Sequence, residues 1–358
     1  MNRTNIEWTA THHPDGTVTP GLTSNPLQYR DRRTGNVVWA CIKCSTGCAN
    51  CYSEALAERY KRGSAFTAAS MAHLEPFLDE DELRHILTAR TVGKLPVSGS
   101  RCFLGDMTDV FGPWVPDELL DRLFAVMALR PDVTFQVLTK RPERMADYFA
   151  TGPGLTRFSR IREQMYANPC ALPVPDPFAH PYPGQVPWPL PNLWLGTSAE
   201  NQAAADARIP HLLRVPARVR FLSCEPLLGP VDLRRWLVQG YCPTCDMGCF
   251  VGPPGGLGCG GCADPKARRS LNWVIVGGES GPGARPMHPA WARSLRDQCA
   301  AAGVPFFFKQ WGDIRENGCG LPESDYYRAG LRVGQKKGGR ILDGRTWDEF
   351  PATSEGTT

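Results

Sequence analysis

Apolar and polar positions fall in short blocks along this chain. Six β-branched or aromatic runs end in polar or glycine-rich turns: Arg101–Gly105, Thr134–Thr139, Leu193–Gly196, Val219–Ser223, Trp273–Gly277 and Pro305–Phe308. Each has the length and composition of a buried strand. Stretches of helical spacing lie between them. Asp117–Leu129 sets Leu119, Leu120, Leu123, Phe124, Val126 and Met127 close to one stripe, with Pro116 as a start signal. Ser53–Tyr60 and Pro289–Ala302 also read as helices, the second stopped by Gly303.

Strands alternating with helices predict an α/β fold with a parallel sheet. The residues after the strands sharpen this. They are Gly105-Asp106-Met107-Thr108-Asp109, Thr139-Lys140-Arg141, Thr197-Ser198-Ala199-Glu200, Ser223-Cys224-Glu225-Pro226, Gly277-Gly278-Glu279-Ser280 and Lys309-Gln310-Trp311. Polar groups gathered at the C-terminal ends of many strands are what the active face of a barrel looks like. The expected fold is therefore a parallel TIM-type barrel, partial or complete, as a single α/β barrel-like domain over residues 1–358 with a small zinc-ribbon-like insert.

Three segments break the pattern. Thr11–Arg33 is polar and turn-rich and reads as an inserted loop. Residues 169–191 hold nine prolines and read as an extended surface loop. Residues 239–271 form a cysteine- and glycine-rich insert. The tail after Ala352 reads as disordered.

Composition adds one anomaly. The 358 residues carry 40 Lys+Arg against 36 Asp+Glu, a formal charge of +4 that permits a nucleic-acid partner without demanding one. No apolar run is long enough to span a membrane, and the first residues lack a secretory signal. A cytoplasmic protein with no membrane partner is expected. Yet there are 14 cysteines, and thiols stay reduced in that compartment. Metal binding is the leading explanation. Cys41, Cys44, Cys48 and Cys51 lie within eleven residues, and Cys242, Cys245, Cys249, Cys259 and Cys262 within twenty-one.

In the first cluster, Cys44-x3-Cys48-x2-Cys51 puts three thiolates on one tight loop ahead of a helix. Three thiolates can hold three irons of a [4Fe–4S] cluster and leave the fourth open to an exogenous ligand. The amino and carboxylate groups of S-adenosylmethionine fill that place in radical enzymes. Cys41-x6-Cys48-x2-Cys51 is an equally possible triad. All four cysteines could instead surround Zn²⁺.

Several motifs carry a resemblance: Asn5-Ile6-Glu7-Trp8-Thr9, Ser45-Thr46-Gly47-Cys48-Ala49-Asn50-Cys51-Tyr52, Asp106-Met107-Thr108-Asp109-Val110-Phe111, Leu138-Thr139-Lys140-Arg141-Pro142, Leu195-Gly196-Thr197-Ser198-Ala199-Glu200-Asn201, Phe221-Leu222-Ser223-Cys224-Glu225-Pro226, Val276-Gly277-Gly278-Glu279-Ser280-Gly281, Phe307-Phe308-Lys309-Gln310-Trp311-Gly312 and Leu342-Asp343-Gly344-Arg345. Over most of its length the chain resembles the phage-associated three-cysteine-motif family, of unknown function and related to radical S-adenosylmethionine proteins. The resemblance implies a barrel with the cluster at its mouth. It also implies the x6-x2 triad, Cys41, Cys48 and Cys51, and a neighbouring three-cysteine-motif partner protein. Fold alone names no substrate.

The second cluster, Cys242-x2-Cys245-x13-Cys259-x2-Cys262, has zinc-ribbon spacing, with two knuckles giving two thiolates each. A structural Zn²⁺ is expected, with an auxiliary iron–sulfur cluster as the alternative.

Candidate cofactor-binding residues come from the strand ends: Asp106, Asp109, Lys140, Glu200, Glu225, Glu279 and Lys309. Asp106 and Asp109 are candidates to accept from ribose hydroxyls or an amino group. Lys140 and Arg141 are candidates for a carboxylate or phosphate. Glu225 and Glu279 follow strands directly, so they need salt bridges, to Lys140 and Lys309, or substrate contacts. The leading expectation is a radical S-adenosylmethionine-type iron–sulfur enzyme acting on nucleic acid or a nucleotide. The alternative is a zinc protein, non-catalytic or hydrolytic, associated with nucleic acid in a phage context.

Overall fold

The computed structural model describes residues 1–13, 15–63, 65–150, 157–166, 188–237, 241–242, 247–248, 270–315, 331–332 and 339–352. The chain divides into two compact units. The first comprises Met1–Cys44, Cys51–Gly196 and Val215–Arg218. The second comprises Ser45–Asn50, Thr197–Arg214 and Val219–Thr358.

The first unit contains β1 (Asn2–Arg3), β2 (Leu22–Ser24), β3 (Leu27–Asp31), β4 (Val37–Val38), α1 (Tyr52–Arg59), β5 (Leu74–Leu78), β6 (Arg101–Leu104), α2 (Asp117–Ala128), β7 (Thr134–Thr139), α3 (Pro142–Phe149) and most of β8 (Leu193–Ser198). Its sheet runs β1-β2-β6-β7-β8. The pairs β2–β6 and β6–β7 are parallel, and β1 lies antiparallel on β2. A separate antiparallel sheet has the order β4-β3-β5.

The forces are the ordinary ones. Phe135, Gln136 and Val137 of β7 and Leu193, Trp194 and Leu195 of β8 are all buried, so successive side chains show both strands covered on both faces. α2 opens with Asp117 and Glu118, whose charges suit a helix N-terminus, and buries Leu120, Leu123, Phe124 and Met127.

One expectation fails here. Thr11–Arg33 is not a loop. Leu22–Ser24 is a buried inner strand, and Leu27–Asp31 pairs with Leu74–Leu78. Only one of the three β2 residues is strongly apolar, so it leaves no hydrophobic run. Ser24 is buried because its hydroxyl donates to Glu82 at 2.6 Å.

The second unit contains the end of β8, α4 (Gln202–Arg214), β9 (Val219–Cys224), β10 (Trp273–Gly277), α5 (Pro289–Ala302) and β11 (Phe306–Gln310). β9–β10 and β10–β11 are parallel pairs. The architecture is thus mixed α/β with largely parallel sheet pairing, as the alternation of patterns predicts. Among the described residues, no helix is long and apolar enough to cross a membrane.

Candidate functional site

The candidate residues divide between the units: Cys41, Cys44 and Cys51 belong to the first and Cys48 to the second.

In the first unit, β6 ends at Gly105-Asp106. Asn25, just past β2, donates from Nδ2 to Asp106 Oδ1 at 2.5 Å and accepts from the Met107 amide at 3.0 Å. The hydroxyls of Tyr52 and Ser53, the two residues after Cys51, each donate to the Asp106 carbonyl at 2.8 Å. Asp106 is therefore fixed beside the start of α1. Burial pushes its carboxyl above the ordinary carboxylate range, although the Asn25 bond pulls it down. The Asp106 backbone amide also bonds the carboxyl and pulls in the same direction as Asn25.

Asp109 differs. Its carboxylate accepts from the Thr139 hydroxyl at 2.6 Å, the Phe111 and Lys140 amides at 3.1 Å, and Arg141 at 2.9 Å. Arg141 also donates to the Ile42 carbonyl at 2.6 Å, with its guanidinium 4.8 Å from the Trp114 ring centroid. Trp114 donates to the Tyr29 hydroxyl at 2.8 Å, and that hydroxyl lies 3.1 Å from Thr108. Thr108 donates to the Ala40 carbonyl at 2.6 Å. The carbonyls on both sides of Cys41 are thus held by one network.

Cys41 and Cys51 are half-buried and pack, with Trp39 and Leu56, against Ala57, Phe66 and Met107. Burial pushes the Cys41 thiol up to about 12, assisted by the Asp109 charge and opposed by Arg141. Cys44 is exposed, and beside it Lys43 pairs with Glu54 at 2.6 Å.

In the second unit, Ser45–Asn50 rests on two carboxylates. Glu200, past β8, accepts from the Gly47 amide at 3.3 Å and from Arg208 at 2.8 Å, and Ser45 also bonds to it. A Cβ at Gly47 would lie 3.1 Å from Glu200 Cδ, so a larger residue there would press on the carboxylate. Glu279, past β10, accepts from Asn50 at 3.0 Å. Arg285 grips both Glu279 oxygens, at 2.6 and 2.8 Å, and donates to the Thr46 carbonyl at 2.9 Å. Burial opposes ionisation of both glutamates. For Glu279 the bonds from Arg285 and Asn50 outweigh burial, and for Glu200 those of Ser45 and Arg208 do. Both carboxyls therefore sit below their ordinary range.

Glu225, past β9, pairs with Lys309 of β11 at 3.0 Å, one of the salt bridges the strand ends require. Glu279 takes Arg285 rather than a lysine. Trp311 donates to the Ile341 carbonyl at 2.8 Å and packs edge-on against Phe308.

Among the described residues, no group of three or more His, Cys, Asp or Glu side chains is gathered as metal ligands. Cys245, Cys259 and Cys262 lie outside the described residues, as does the Cys242 side chain, and most of residues 169–191 does too. Asn25 and Thr108 bond partners 81 and 68 positions away, and Arg208 and Arg285 pair with glutamates eight and six positions away without forming a recognisable motif, so the sequence alone does not single them out.

Residues 26–351 match the family described as protein of unknown function (DUF5131). The chain belongs to the DUF5131 family. No curated protein and no solved structure matches it. The matched span of this DUF5131 chain takes in all four first-cluster cysteines and every strand-end residue above.

Proposed function

We propose that this DUF5131 chain is a radical S-adenosylmethionine-type iron–sulfur enzyme built on a partial or complete TIM-type barrel, and that it acts on nucleic acid or a nucleotide. The observation that supports it most is in the first unit. Tyr52 and Ser53, directly after Cys51, hold the carbonyl of Asp106, whose carboxyl takes one side-chain bond, from Asn25, at the C-terminal end of β6. A thiol and a lightly bonded carboxyl are thereby set on one local scaffold.

The donor chemistry fits the group. Cys41, Cys44, Cys48 and Cys51 supply four thiols, and Arg141 lies near Cys41 and Cys44, where it favours an anionic centre. Three of the four would hold a [4Fe–4S] cluster, which with S-adenosylmethionine supplies reductive cleavage and hydrogen abstraction. The chain's share is to bind, orient and exclude water. Asp106 would accept from an amino or hydroxyl group of the cofactor. Lys309, already paired, would meet a carboxylate or phosphate only by sharing Glu225. Zn²⁺ in the 239–271 insert belongs to the same reading, resting on the CxxC spacing. So do the phage association and a three-cysteine-motif partner, which rest on the resemblance.

Metal analysis of anaerobically purified protein tests this. About four irons and one zinc per chain are expected. Two zincs without iron would replace the proposal with a zinc protein. A reconstituted cluster that yields no deoxyadenosine from S-adenosylmethionine under any reductant would also end it.

A further inference from the structure

Two glutamates that look like ligand contacts in the sequence are used inside the protein. Glu200 bonds the Gly47 amide and Ser45, and its other oxygen is taken by Arg208. Glu279 bonds Asn50, and both its oxygens are taken by Arg285, which itself reaches the Thr46 carbonyl. Gly283 accepts a second bond from Asn50 at 2.9 Å. Four of the six residues in Ser45–Asn50 are thus tied to two carboxylate–arginine pairs, and Cys48 sits between the tied positions. The carboxylates are 2% and 5% exposed, so the bonds compete little with water.

We propose that Glu200–Arg208 and Glu279–Arg285 form a two-point clasp that fixes the Cys48 loop before any metal or cofactor arrives. The four residues are positioning residues. They act through the backbone at Thr46 and Gly47 and the side chains of Ser45 and Asn50, not through contact with a ligand. A ligand thiol on a short loop pays an ordering cost when it binds unless the loop is already held. The clasp removes that cost at Cys48. The loop's function rests on the iron–sulfur reading above, but the clasp itself concerns only the metal-free chain.

The test is thiol reactivity in full-length, chelator-treated, reduced protein. N-ethylmaleimide modification of Cys48 and Cys44 is followed by peptide mass spectrometry, with exposed Cys44 as the internal reference. Arg285→Ala should raise the Cys48 rate about fivefold or more by local opening, with Cys44 changed less than about twofold. Arg285→Lys should recover part of the protection, since a lysine can still reach one Glu279 oxygen. Glu279→Gln, which conserves shape, guards against a variant that does not fold, and should raise the Cys48 rate in the same direction. Unchanged Cys48 rates in the folded variants would overturn the clasp. A parallel rise at Cys44 would also overturn it, because the effect would then be general loosening. A wild-type protein that binds no iron would remove the enzyme proposal and leave these rates to decide the clasp alone.

Discussion

Arg141 joins the Asp109 carboxylate, at 2.9 Å, to the Ile42 carbonyl, at 2.6 Å. It thereby links the end of β7 and the loop after β6 to the backbone beside Cys41. Both side chains are largely buried, 14% exposed for Arg141 and 9% for Asp109. Asp109→Asn keeps the shape but removes the charge that balances Arg141. Breaking one partner of such a pair costs about 3 kcal/mol. Urea unfolding should show a lower midpoint at unchanged slope, the slope times the shift giving a loss of about 3 kcal/mol. A loss under about 1 kcal/mol would mean that water or another group already compensates Arg141.

Glu279 gives a pH signature. Its folded carboxyl lies below the ordinary value of 4.5, because bonds from Arg285 and Asn50 outweigh the opposing effect of burial. A depressed folded value means the unfolded chain takes up the proton first as pH falls. The stabilisation is therefore complete above the unfolded value and is lost as pH drops through the folded one. The gap in melting temperature between wild type and Glu279→Gln should be constant from pH 7 to about 5 and close progressively below about 4.5. A gap that widens on acidification would contradict the assigned direction.

Gly277 lies beneath an ion pair. A Cβ there would stand 2.5 Å from Glu225 Oε1, the oxygen that also pairs with Lys309. Gly277→Ala should displace that carboxylate and cost about 1–3 kcal/mol, the range for inserting a methyl into a packed site. Glu225→Ala in the same chain should make Gly277→Ala nearly silent, because the obstructing group is gone. Additive losses in the double variant would place the strain elsewhere.

These contacts show what a sequence can and cannot display. Runs such as Thr134–Thr139 and Trp273–Gly277 are strands with the same bounds in sequence and structure, because burial on both faces favours mostly apolar, β-branched and aromatic residues. Leu22–Ser24 is an inner strand too, but its burial depends on a serine bonded to a glutamate 58 positions away. No local pattern reveals that. The strand-end carboxylates are legible for the same reason as the strands, since each follows an apolar run. Their allotment is not. Asp106 and Asp109 look alike in sequence, yet Asp109 is saturated by Thr139, Lys140, Phe111 and Arg141 while Asp106 takes one side-chain bond, from Asn25. Only the partners' positions separate them.

The same network bears on the proposed choice among the first-cluster thiols. Thr108 fixes the carbonyl before Cys41, and Arg141 fixes the one after it. Cys44 is exposed, and beside it Lys43 bonds the Phe66 carbonyl through its amide at 3.2 Å and Glu54 through its side chain at 2.6 Å. A metal ligand is expected where surrounding groups hold its backbone, since such support commonly changes metal affinity by about 10–100-fold. Under the iron–sulfur proposal, we therefore propose half-buried Cys41, flanked by side-chain bonds on both sides, rather than exposed Cys44, as the ligand used with Cys48 and Cys51. Cys41→Ala should abolish iron retention after anaerobic reconstitution, and Cys44→Ala should leave iron content and the spectrum of the reduced cluster unchanged. Thr108→Val, which removes the bond to Ala40 without touching a thiol, should weaken iron retention in the same sense as Cys41→Ala but to a lesser extent. Iron lost only on Cys44→Ala would reassign the triad to Cys44, Cys48 and Cys51, and the network around Cys41 would then be structural.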